Sequence, residues 1–260
     1  MSNATILACA DTIEAAVRDR TAIGRLTATY PDLTLDEGYA IQDEVTARRL
    51  SRGETIVGAK LGLTSRAKQV QMNCAEPMYG RLFSTGFHPS NEPFRVDSLI
   101  HPRVEPEVVL VMGKRLAGPG VSAADVLDAT EWVACGLEII DSRYADFSFT
   151  APDVVADNTS EARVVLGPKL VRPAGLDLGL IGLLLEVDGE LVATATGAAT
   201  MGHPAEAVAM LANFLGARGE AIEPGWTIYT GGLTAAVPLQ PGTHVTATFG
   251  HLGAVTVRGI

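Results

Sequence analysis

The spacing of apolar positions predicts helices in the first fifty residues of the chain. Charged residues interspersed among alanines from Asp11 to Arg20 are typical of an exposed helix. The sequence Thr34-Leu35-Asp36-Glu37 matches a capping box, which predicts that a second helix begins there. Ile41 and Val45 lie one turn apart on the same face of that helix, and Gly53 is expected to end it. We interpret this segment as scaffold or as an oligomer contact.

After Thr55 the pattern changes to short apolar runs that predict strands. The first run, Ile56–Leu63, is interrupted by glycines, which indicates a strand where another group approaches the backbone closely. The dipeptide Asp188-Gly189 separates two further runs and predicts a hairpin with a type I′ turn. By contrast, Glu76-Pro77 and Tyr79-Gly80 are typical of turns or loops. The other predicted strands are Val104–Met112, Trp132–Ile140, Val245–Phe249 and Ala254–Arg258.

Two helices are predicted within the β-rich part. One begins at Ser122 by the same capping logic, and the other begins at Pro204 and is expected to stop at Gly216. The polar stretch Thr64–Gln71 is expected to be a helix or a lid. Neither a regular βαβα alternation nor a repeat is present, so the predicted fold class is α+β. We expect a helical N-terminal portion over residues 1–54 and a mixed, β-rich body over 55–260, joined as one structural unit.

Composition and charge exclude several classes of protein. Hydrophobic residues make up 47% of the 260 positions and charged residues 19%, which excludes a disordered chain. The net charge of −10, with no long basic run, is a poor match to nucleic acid. No secretory signal and no apolar stretch long enough for a bilayer is visible, so a cytoplasmic location is expected. The three cysteines form no disulfide framework, and motifs for nucleotide binding or serine hydrolysis are absent.

Three acids stand on otherwise apolar predicted strands. Side chains two residues apart on a strand point to the same face, so Glu105 and Glu107 are expected to project together. Glu138 interrupts the next apolar strand, where a buried, unpaired carboxylate is costly. Three carboxylates with no His or Cys at ligand spacing would select Mg²⁺ or Mn²⁺ over Zn²⁺. Ion pairs to Arg103 or Arg143, or a solvent-exposed strand edge, explain the same pattern equally well.

Other polar residues have two interpretations each. Arg143 could hold a carboxylate in a fork or pair with Asp141 or Asp146, and the dense Asp, Asn and Ser around it equally indicate turn capping. Lys60 in an apolar strand is either at a sheet edge or desolvated and reactive, and taken alone it favours the edge. Gly231-Gly232-Leu233-Thr234 could present backbone N–H groups to an anion or form an ordinary hairpin turn.

As a set, and in order, these stretches resemble the fumarylacetoacetate hydrolase superfamily. The branch they resemble contains 2-oxo acid hydratases and decarboxylases of aromatic catabolism, and the resemblance covers nearly the whole chain. Its matching stretches are Gly58–Ser65, Val104–Glu107, Leu137–Arg143, Val155–Ser160, Gly197–Ala199, Gly202–Pro204 and Gly231–Thr234.

The resemblance implies a fold, a metal site and a substrate pocket. The fold would be a mixed β-roll or barrel-like body, with Mg²⁺, or alternatively Mn²⁺, held by Glu105, Glu107 and Glu138. Lys60 would be the catalytic lysine beside a small 2-oxo dicarboxylic acid. The residues implied to line the substrate pocket are Leu61, Asn158, Thr159, Ser160, Ala198, Ala199 and Thr234.

Two activities of this branch compete. The runs Asp141–Phe149, Pro152–Val155 and Leu233–Pro238 favour decarboxylation of 2-oxohex-3-enedioate (4-oxalocrotonate) to 2-hydroxypenta-2,4-dienoate. The alternative is a 2-oxopent-4-enoate hydratase, but hydratases commonly carry an acid where this chain has Met78, although nearby Glu76 could substitute. Acylpyruvate hydrolysis would need a water-activating His-Glu pair, which is not recognisable in the sequence.

The resemblance also implies an assembly. A homo-oligomer is expected, and a complex with a paralogous hydratase is a second arrangement that the family suggests. A catalytically silent partner subunit is a further alternative, against which the intact glutamates and Lys60 argue.

Overall fold

Three helices form the N-terminal portion of the computed structural model, which describes residues 1–65 and 77–260. Helix α1 spans Asn3–Asp19 and therefore begins earlier than the charge pattern from Asp11 predicted, because Ser2 caps it. Helix α2 is Leu26–Thr29 and helix α3 is Leu35–Ser51. The predicted capping box is confirmed, since Thr34 Oγ1 accepts from the Glu37 amide at 3.3 Å and Glu37 Oε2 accepts from the Thr34 amide at 2.9 Å.

Several predicted features lie outside the described residues. These are Cys74, Glu76 and the part of the predicted helix or lid after Ser65.

The strands of the described part form two sheets. They are β1 Ile56–Gly62, β2 Met78–Phe83, β3 Pro93–Phe94, β4 Arg103–Met112, β5 Thr130–Ile140, β6 Glu161–Leu166, β7 Gly182–Val187, β8 Glu190–Thr196, β9 Thr227–Tyr229, β10 Val237–Pro238, β11 His244–Phe249 and β12 Gly253–Gly259. In the larger sheet the order is β2-β1-β9-β4-β5-β6, with β10 paired to β4, and in the smaller it is β3-β12-β11-β7-β8. The pairs β1–β9 and β12–β3 are parallel and the other pairs are antiparallel.

The predicted hairpin and both predicted body helices are confirmed. Strands β7 and β8 pair around Asp188 and Gly189, whose φ angles of 53° and 83° are those of a type I′ turn. Helix α4 is Ala123–Ala129, a helix α5 that the sequence did not predict is Ala151–Ala156, and helix α6 is Pro204–Ala217. Gly216 does not stop α6, which continues to Ala217. A glycine is required at this position because a Cβ there would lie 2.6 Å from the Gly118 backbone.

The turn expected at Tyr79-Gly80 was wrong. These residues lie in the middle of β2, every residue of which is buried. Gly80 serves a different purpose, because a Cβ at this position would lie 2.3 Å from the carbonyl oxygen of Asn158. The glycine therefore marks a close approach of two backbones and not a change of direction.

The two faces of the larger sheet have different environments. One face, which includes Val108 on β4 and Leu137 on β5, packs in the main core with the smaller sheet and helix α6. The opposite face carries the acids of β4 and β5 and a small apolar cluster that includes Val109 and Tyr229. The alternation of the strands thus separates the core from a polar site, and the observed architecture is α+β, as predicted. Within the described ranges, no helix is long and apolar enough to cross a membrane.

Candidate active site

Three glutamates converge on the face of the larger sheet that is turned away from the main core. Glu105 on β4 is the direct cross-strand partner of Glu138 on β5, and Glu107 stands opposite Gly136. One carboxylate oxygen from each glutamate lies within 4.8 Å of the others. Neither Arg103 nor Arg143 pairs with them, so the ion pairs considered from the sequence do not form.

Two of these carboxylates are fully buried and poorly compensated. Glu107 Oε1 and Glu138 Oε2 have no hydrogen-bond donor among the described residues. Burial raises the pKa of Glu138 to about 7, although the neighbouring Lys60 opposes this rise. Burial and then the charge of Glu138 raise the pKa of Glu107 well above its usual value. Buried negative charge of this kind is costly unless a cation neutralises it.

This donor set fits a divalent metal ion. It consists of three carboxylates, which are hard oxygen ligands, and Glu107 Oε1 and Glu138 Oε2 accept no hydrogen bond from the part of the chain that the structure describes. Glu105 is half-buried, so the cluster is buried at Glu107 and Glu138 and more open at Glu105. The acids could therefore hold Mg²⁺ or a similar ion.

The loop Gly231–Thr234 closes one side of the cluster. The Gly231 amide donates to Glu107 Oε2 at 2.6 Å, so this loop does present a backbone N–H to an anion. A Cβ on Gly232 would lie 2.5 Å from Glu105 Oε2, and the Leu233 amide donates to the Pro106 carbonyl at 3.0 Å. The two glycines let the backbone lie directly against the glutamates.

Lys60 does not lie at a sheet edge, so that interpretation was wrong. Strand β1 runs between β2 and β9, and the lysine side chain is only 3% exposed. Its Nζ lies 3.0 Å from Glu138 Oε1 and donates to the carbonyl oxygen of Thr159 at 2.8 Å. The ammonium is thus held at the cluster by an ion pair with Glu138 and by a hydrogen bond to a backbone carbonyl.

The turn Asn158–Ser160 presents that carbonyl to Lys60. All three residues are buried and have positive φ angles of 47°, 54° and 59°, although none is glycine. The Asn158 amide group is occupied by β2, since its Oδ1 accepts from the Arg81 N–H at 2.7 Å and its Nδ2 donates to the Arg81 carbonyl at 2.9 Å. By contrast, the hydroxyls of Thr159 and Ser160 are buried without partners among the described residues.

The remaining predicted pocket residues differ in how they face the cluster. Leu61 is adjacent to Lys60 but packs its side chain in the main core, so only its backbone can face the site. Thr234 is half-buried and donates to the Ala235 carbonyl at 3.1 Å. Ala199 is half-buried and Ala198 is exposed, on a short 3₁₀ turn.

Two threonines link the turn of Ala198 and Ala199 to the site, and residue-level reasoning missed them. Thr200 Oγ1 donates to the Gly231 carbonyl at 3.3 Å. The Met201 amide donates to the Thr64 carbonyl at 3.0 Å, and a Cβ on Gly231 would lie 2.0 Å from Thr64 Oγ1. Their closeness to conformationally permissive glycines arises only after folding, so sequence spacing gave no indication of it.

Arg143 makes a different contact from those expected. Its guanidinium is buried and pairs with Asp157, not with Asp141 or Asp146. Burial raises the pKa of Asp157 to about 6, although the charge of Arg143 opposes this rise.

A groove of about 870 Å³ lies between α1, α3 and the start of β6. Its lining includes Arg143, Asp157 and Asn158, whereas Lys60 and the glutamates of the cluster lie outside it.

Comparison with known proteins places this geometry in a family. Residues 55–258 match the model of the fumarylacetoacetate (FAA) hydrolase C-terminal family. The chain is 44% identical over 255 residues to a 4-oxalocrotonate decarboxylase of Pseudomonas sp. (strain CF600), covering 98% of this chain and 97% of that protein. It is 38% identical to a 2-keto-4-pentenoate hydratase of Paraburkholderia xenovorans (strain LB400), covering 90% of this chain and 87% of that protein.

A solved structure extends the similarity to three dimensions. The 4-oxalocrotonate decarboxylase from Pseudomonas putida G7, complexed with magnesium and adipate, superposes with a TM-score of 0.97 at 41% identity. The match covers 100% of this chain and 99% of that one. The predicted α+β fold with a helical N-terminal portion and a β-roll body is confirmed.

Proposed function

The chain belongs to the fumarylacetoacetate hydrolase family and is a carbon–carbon lyase of its decarboxylase type; we propose that its reaction is the decarboxylation of 2-oxohex-3-enedioate to 2-hydroxypenta-2,4-dienoate. The observation that carries this proposal is the buried Lys60 ammonium, fixed 3.0 Å from a cluster of three glutamates. This arrangement places a cation that can stabilise negative charge on the 2-oxo oxygen of the substrate beside carboxylates that can bind a divalent metal.

Lys60 is the group that we assign to the developing negative charge. Loss of the distal carboxylate breaks the C5–C6 bond and releases CO₂. The electron pair moves through the C3–C4 double bond to the 2-oxo oxygen, giving a dienolate that takes up one proton to form the product. Of the three N–H donors of an ammonium group, one goes to Thr159 and one faces Glu138. The third has no acceptor among the described residues and is available to the dienolate oxygen.

Glu105, Glu107 and Glu138 would hold the metal ion. When bound, Mg²⁺ or Mn²⁺ supplies a Lewis acid for the 2-oxo group. The residues of the chain set the position and surroundings of the substrate. Gly231 and Gly232 keep the loop against the glutamates, and the turn Asn158–Ser160 closes the side where Lys60 lies.

Hydration of 2-oxopent-4-enoate is the second candidate, favoured by the 38% identity to a hydratase. Addition of water across a diene needs a group that transfers protons near the reacting carbons. Met78, at the position where hydratases commonly carry an acid, is buried in the main core and cannot transfer a proton. Met78 therefore favours decarboxylation, while Glu76, the acid that could substitute in a hydratase, lies outside the described residues.

We also propose that the substrate is a small 2-oxo dicarboxylic acid and that the chain forms a homo-oligomer, which can join a paralogous hydratase in a complex. Size-exclusion chromatography of the chain, alone and with such a hydratase, tests the assembly. Co-elution as one larger species supports the complex, and separate elution contradicts it.

One assay separates the two activities. The purified protein, stripped of metal and then supplied with Mg²⁺, is given 2-oxohex-3-enedioate while released CO₂ is measured, and in parallel it is given 2-hydroxypenta-2,4-dienoate. We expect Mg²⁺-dependent CO₂ release and little loss of the dienoate. Consumption of the dienoate without CO₂ release from the dicarboxylate would overturn the proposal and select the hydratase.

A further inference from the structure

Three consecutive left-handed residues connect helix α5 to strand β6. The left-handed region of φ/ψ space is unfavourable for Thr159 and Ser160 by about 1–2 kcal/mol each, whereas Asn158 adopts it more readily. Such a turn persists only when the surrounding structure over-determines it. Because its middle residue carries the acceptor for Lys60, whatever fixes the turn also fixes the lysine.

Arg143 bridges the two ends of this turn. Its Nη2 donates to the Asp157 carbonyl at 2.6 Å, and its Nη1 donates to the Glu161 carbonyl at 2.9 Å. Its Nε pairs with the Asp157 carboxylate, whose other oxygen accepts from the Arg143 backbone N–H at 3.0 Å. A single planar guanidinium thus ties together the residues immediately before and after the three strained positions.

We propose that Arg143 is a positioning residue for Lys60: by holding Asp157 and Glu161, it fixes the Thr159 carbonyl and thereby the place of the ammonium. This inference rests on the role of Lys60 in the proposed function. Arg143 reaches the turn from the groove beside α1 and α3, while Lys60 lies outside that groove. Arg143 is therefore not assigned to the substrate carboxylates, because its charge is paired with Asp157.

Removal of the guanidinium should slow turnover more than it weakens substrate binding. In Arg143→Ala the Thr159 carbonyl is free to move, and misplacement by about 1 Å can lower the rate by about 100-fold. We expect kcat to fall by about that factor, with KM changed less than about threefold. If Arg143 held a substrate carboxylate instead, its removal would mainly raise KM.

The position of Arg143 beside the groove offers a chemical rescue. The space left by Arg143→Ala opens toward a cavity large enough to admit a guanidinium ion. Guanidinium chloride at concentrations well below those that denature should raise kcat of the variant at least about tenfold, because it restores donors to Asp157 and Glu161. Absence of rescue in a folded, slow variant would overturn the inference.

Two further variants keep the test interpretable. Arg163→Ala removes a half-buried arginine from the same groove. Within residues 1–65 and 77–260 its side chain bonds only to the adjacent Ala162 carbonyl, so we expect unchanged kcat and no response to guanidinium. Arg143→Lys retains a cation for Asp157 but cannot reach both carbonyls, and it serves if the alanine variant fails to fold. A kcat within twofold of the wild type in Arg143→Lys would also contradict the positioning role.

A readout without substrate separates this inference from the proposed reaction. In crystals of Arg143→Ala we expect the distance from Lys60 Nζ to the Thr159 carbonyl to exceed hydrogen-bonding range, and to return when guanidinium is soaked in. An unchanged contact overturns the inference whatever the substrate. A wild type that releases no CO₂ overturns the proposed reaction and leaves the structural comparison valid.

Discussion

The side chain of Asn158 pairs with the backbone of Arg81 as a neighbouring strand would, accepting at 2.7 Å and donating at 2.9 Å. Both functions of the amide are therefore used to attach the strained turn to β2. The resemblance implies that Asn158 lines the substrate pocket, and the geometry shows that its side-chain amide also attaches the turn to β2.

This relationship predicts the effect of Asn158→Ala. Loss of three buried hydrogen bonds, two with the Arg81 backbone and one to Glu161 Oε2 at 3.2 Å, should destabilise the protein by about 1–3 kcal/mol and lower kcat, with little change in KM. Asn213→Ala is a matched control, because the Asn213 amide pairs with the backbone of Val121 at 2.9 and 2.8 Å in the same manner. Urea unfolding should show similar losses for both variants, whereas kcat should fall only for Asn158→Ala. A large rise in KM for Asn158→Ala would indicate direct contact with substrate instead.

Glu107→Gln should have opposite effects on metal affinity and on metal-free stability. Loss of one ligand should weaken Mg²⁺ binding by at least about 100-fold, measured by calorimetry. Removal of a buried charge next to Glu138 should raise the melting temperature of the metal-free protein. Glu190→Gln, on the exposed hairpin, should alter neither quantity. Wild-type Mg²⁺ affinity in Glu107→Gln would remove this residue from the metal site.

Lys60→Met should lower kcat by about 10²–10³, since a single donor to a developing oxyanion is commonly worth that much. Methionine retains most of the buried volume, so packing on β1 should be preserved. Lys114→Met, which removes an exposed lysine paired with Asp128 at 2.9 Å, should leave kcat unchanged. Steady-state CO₂ release measures both variants, and an unaltered kcat in Lys60→Met would assign the lysine to the scaffold.

The pH dependence of stability follows from the raised pKa of Glu138. In the metal-free protein this carboxyl has a pKa of about 7 instead of 4.5, so between these values the folded state holds a proton that the unfolded chain has lost. The stability that this proton contributes is therefore lost as the pH rises through that window and is absent above about pH 7.

Melting temperatures measure this effect. The metal-free wild type should melt lower at about pH 8 than at about pH 5, relative to Glu138→Gln under the same conditions. Mg²⁺ binds the deprotonated carboxylates, so the rise in melting temperature that it causes should be larger at the higher pH. A wild-type curve parallel to that of Glu138→Gln would contradict the assignment.

Gly80→Ala tests the close approach between β2 and the turn. The added methyl group would meet the Asn158 carbonyl at 2.3 Å, so we expect a loss of about 1–3 kcal/mol and a lower kcat as the turn shifts. Gly182→Ala, on β7, introduces a methyl group with no atom within 4 Å and should be nearly neutral. Equal stability of the two variants in urea would show that β2 and the turn are not in the tight contact described.

Local sequence rules predicted the features that depend on neighbours in the chain. The capping boxes at Thr34 and Ser122 and the type I′ turn at Asp188-Gly189 are of this kind, because their determinants lie within four residues. Alternation along a strand likewise predicted that Glu105 and Glu107 share a face.

Features that depend on distant partners could not be predicted in this way. Whether Lys60 is central or at an edge depends on β2 and β9, which the chain supplies later, and nothing near Lys60 indicates them. The direct pairing of Glu105 with Glu138 is a matter of register between two strands. The left-handed turn after Asp157 contains no glycine and a single asparagine, so residue preferences mark only one of its three left-handed positions.

The adjacency of Lys60 and Leu61 on one central strand has a consequence for how the sheet can assemble. A slip of β1 by a single residue would exchange their faces, driving an ammonium into the apolar interior and leaving a leucine opposite the carboxylates. A misregistered β1 is thus destabilised in two ways, because a charge is buried without a partner and because a core position loses its apolar side chain. Lys60, which we assign to the chemistry, therefore also favours the correct register of β1 during folding.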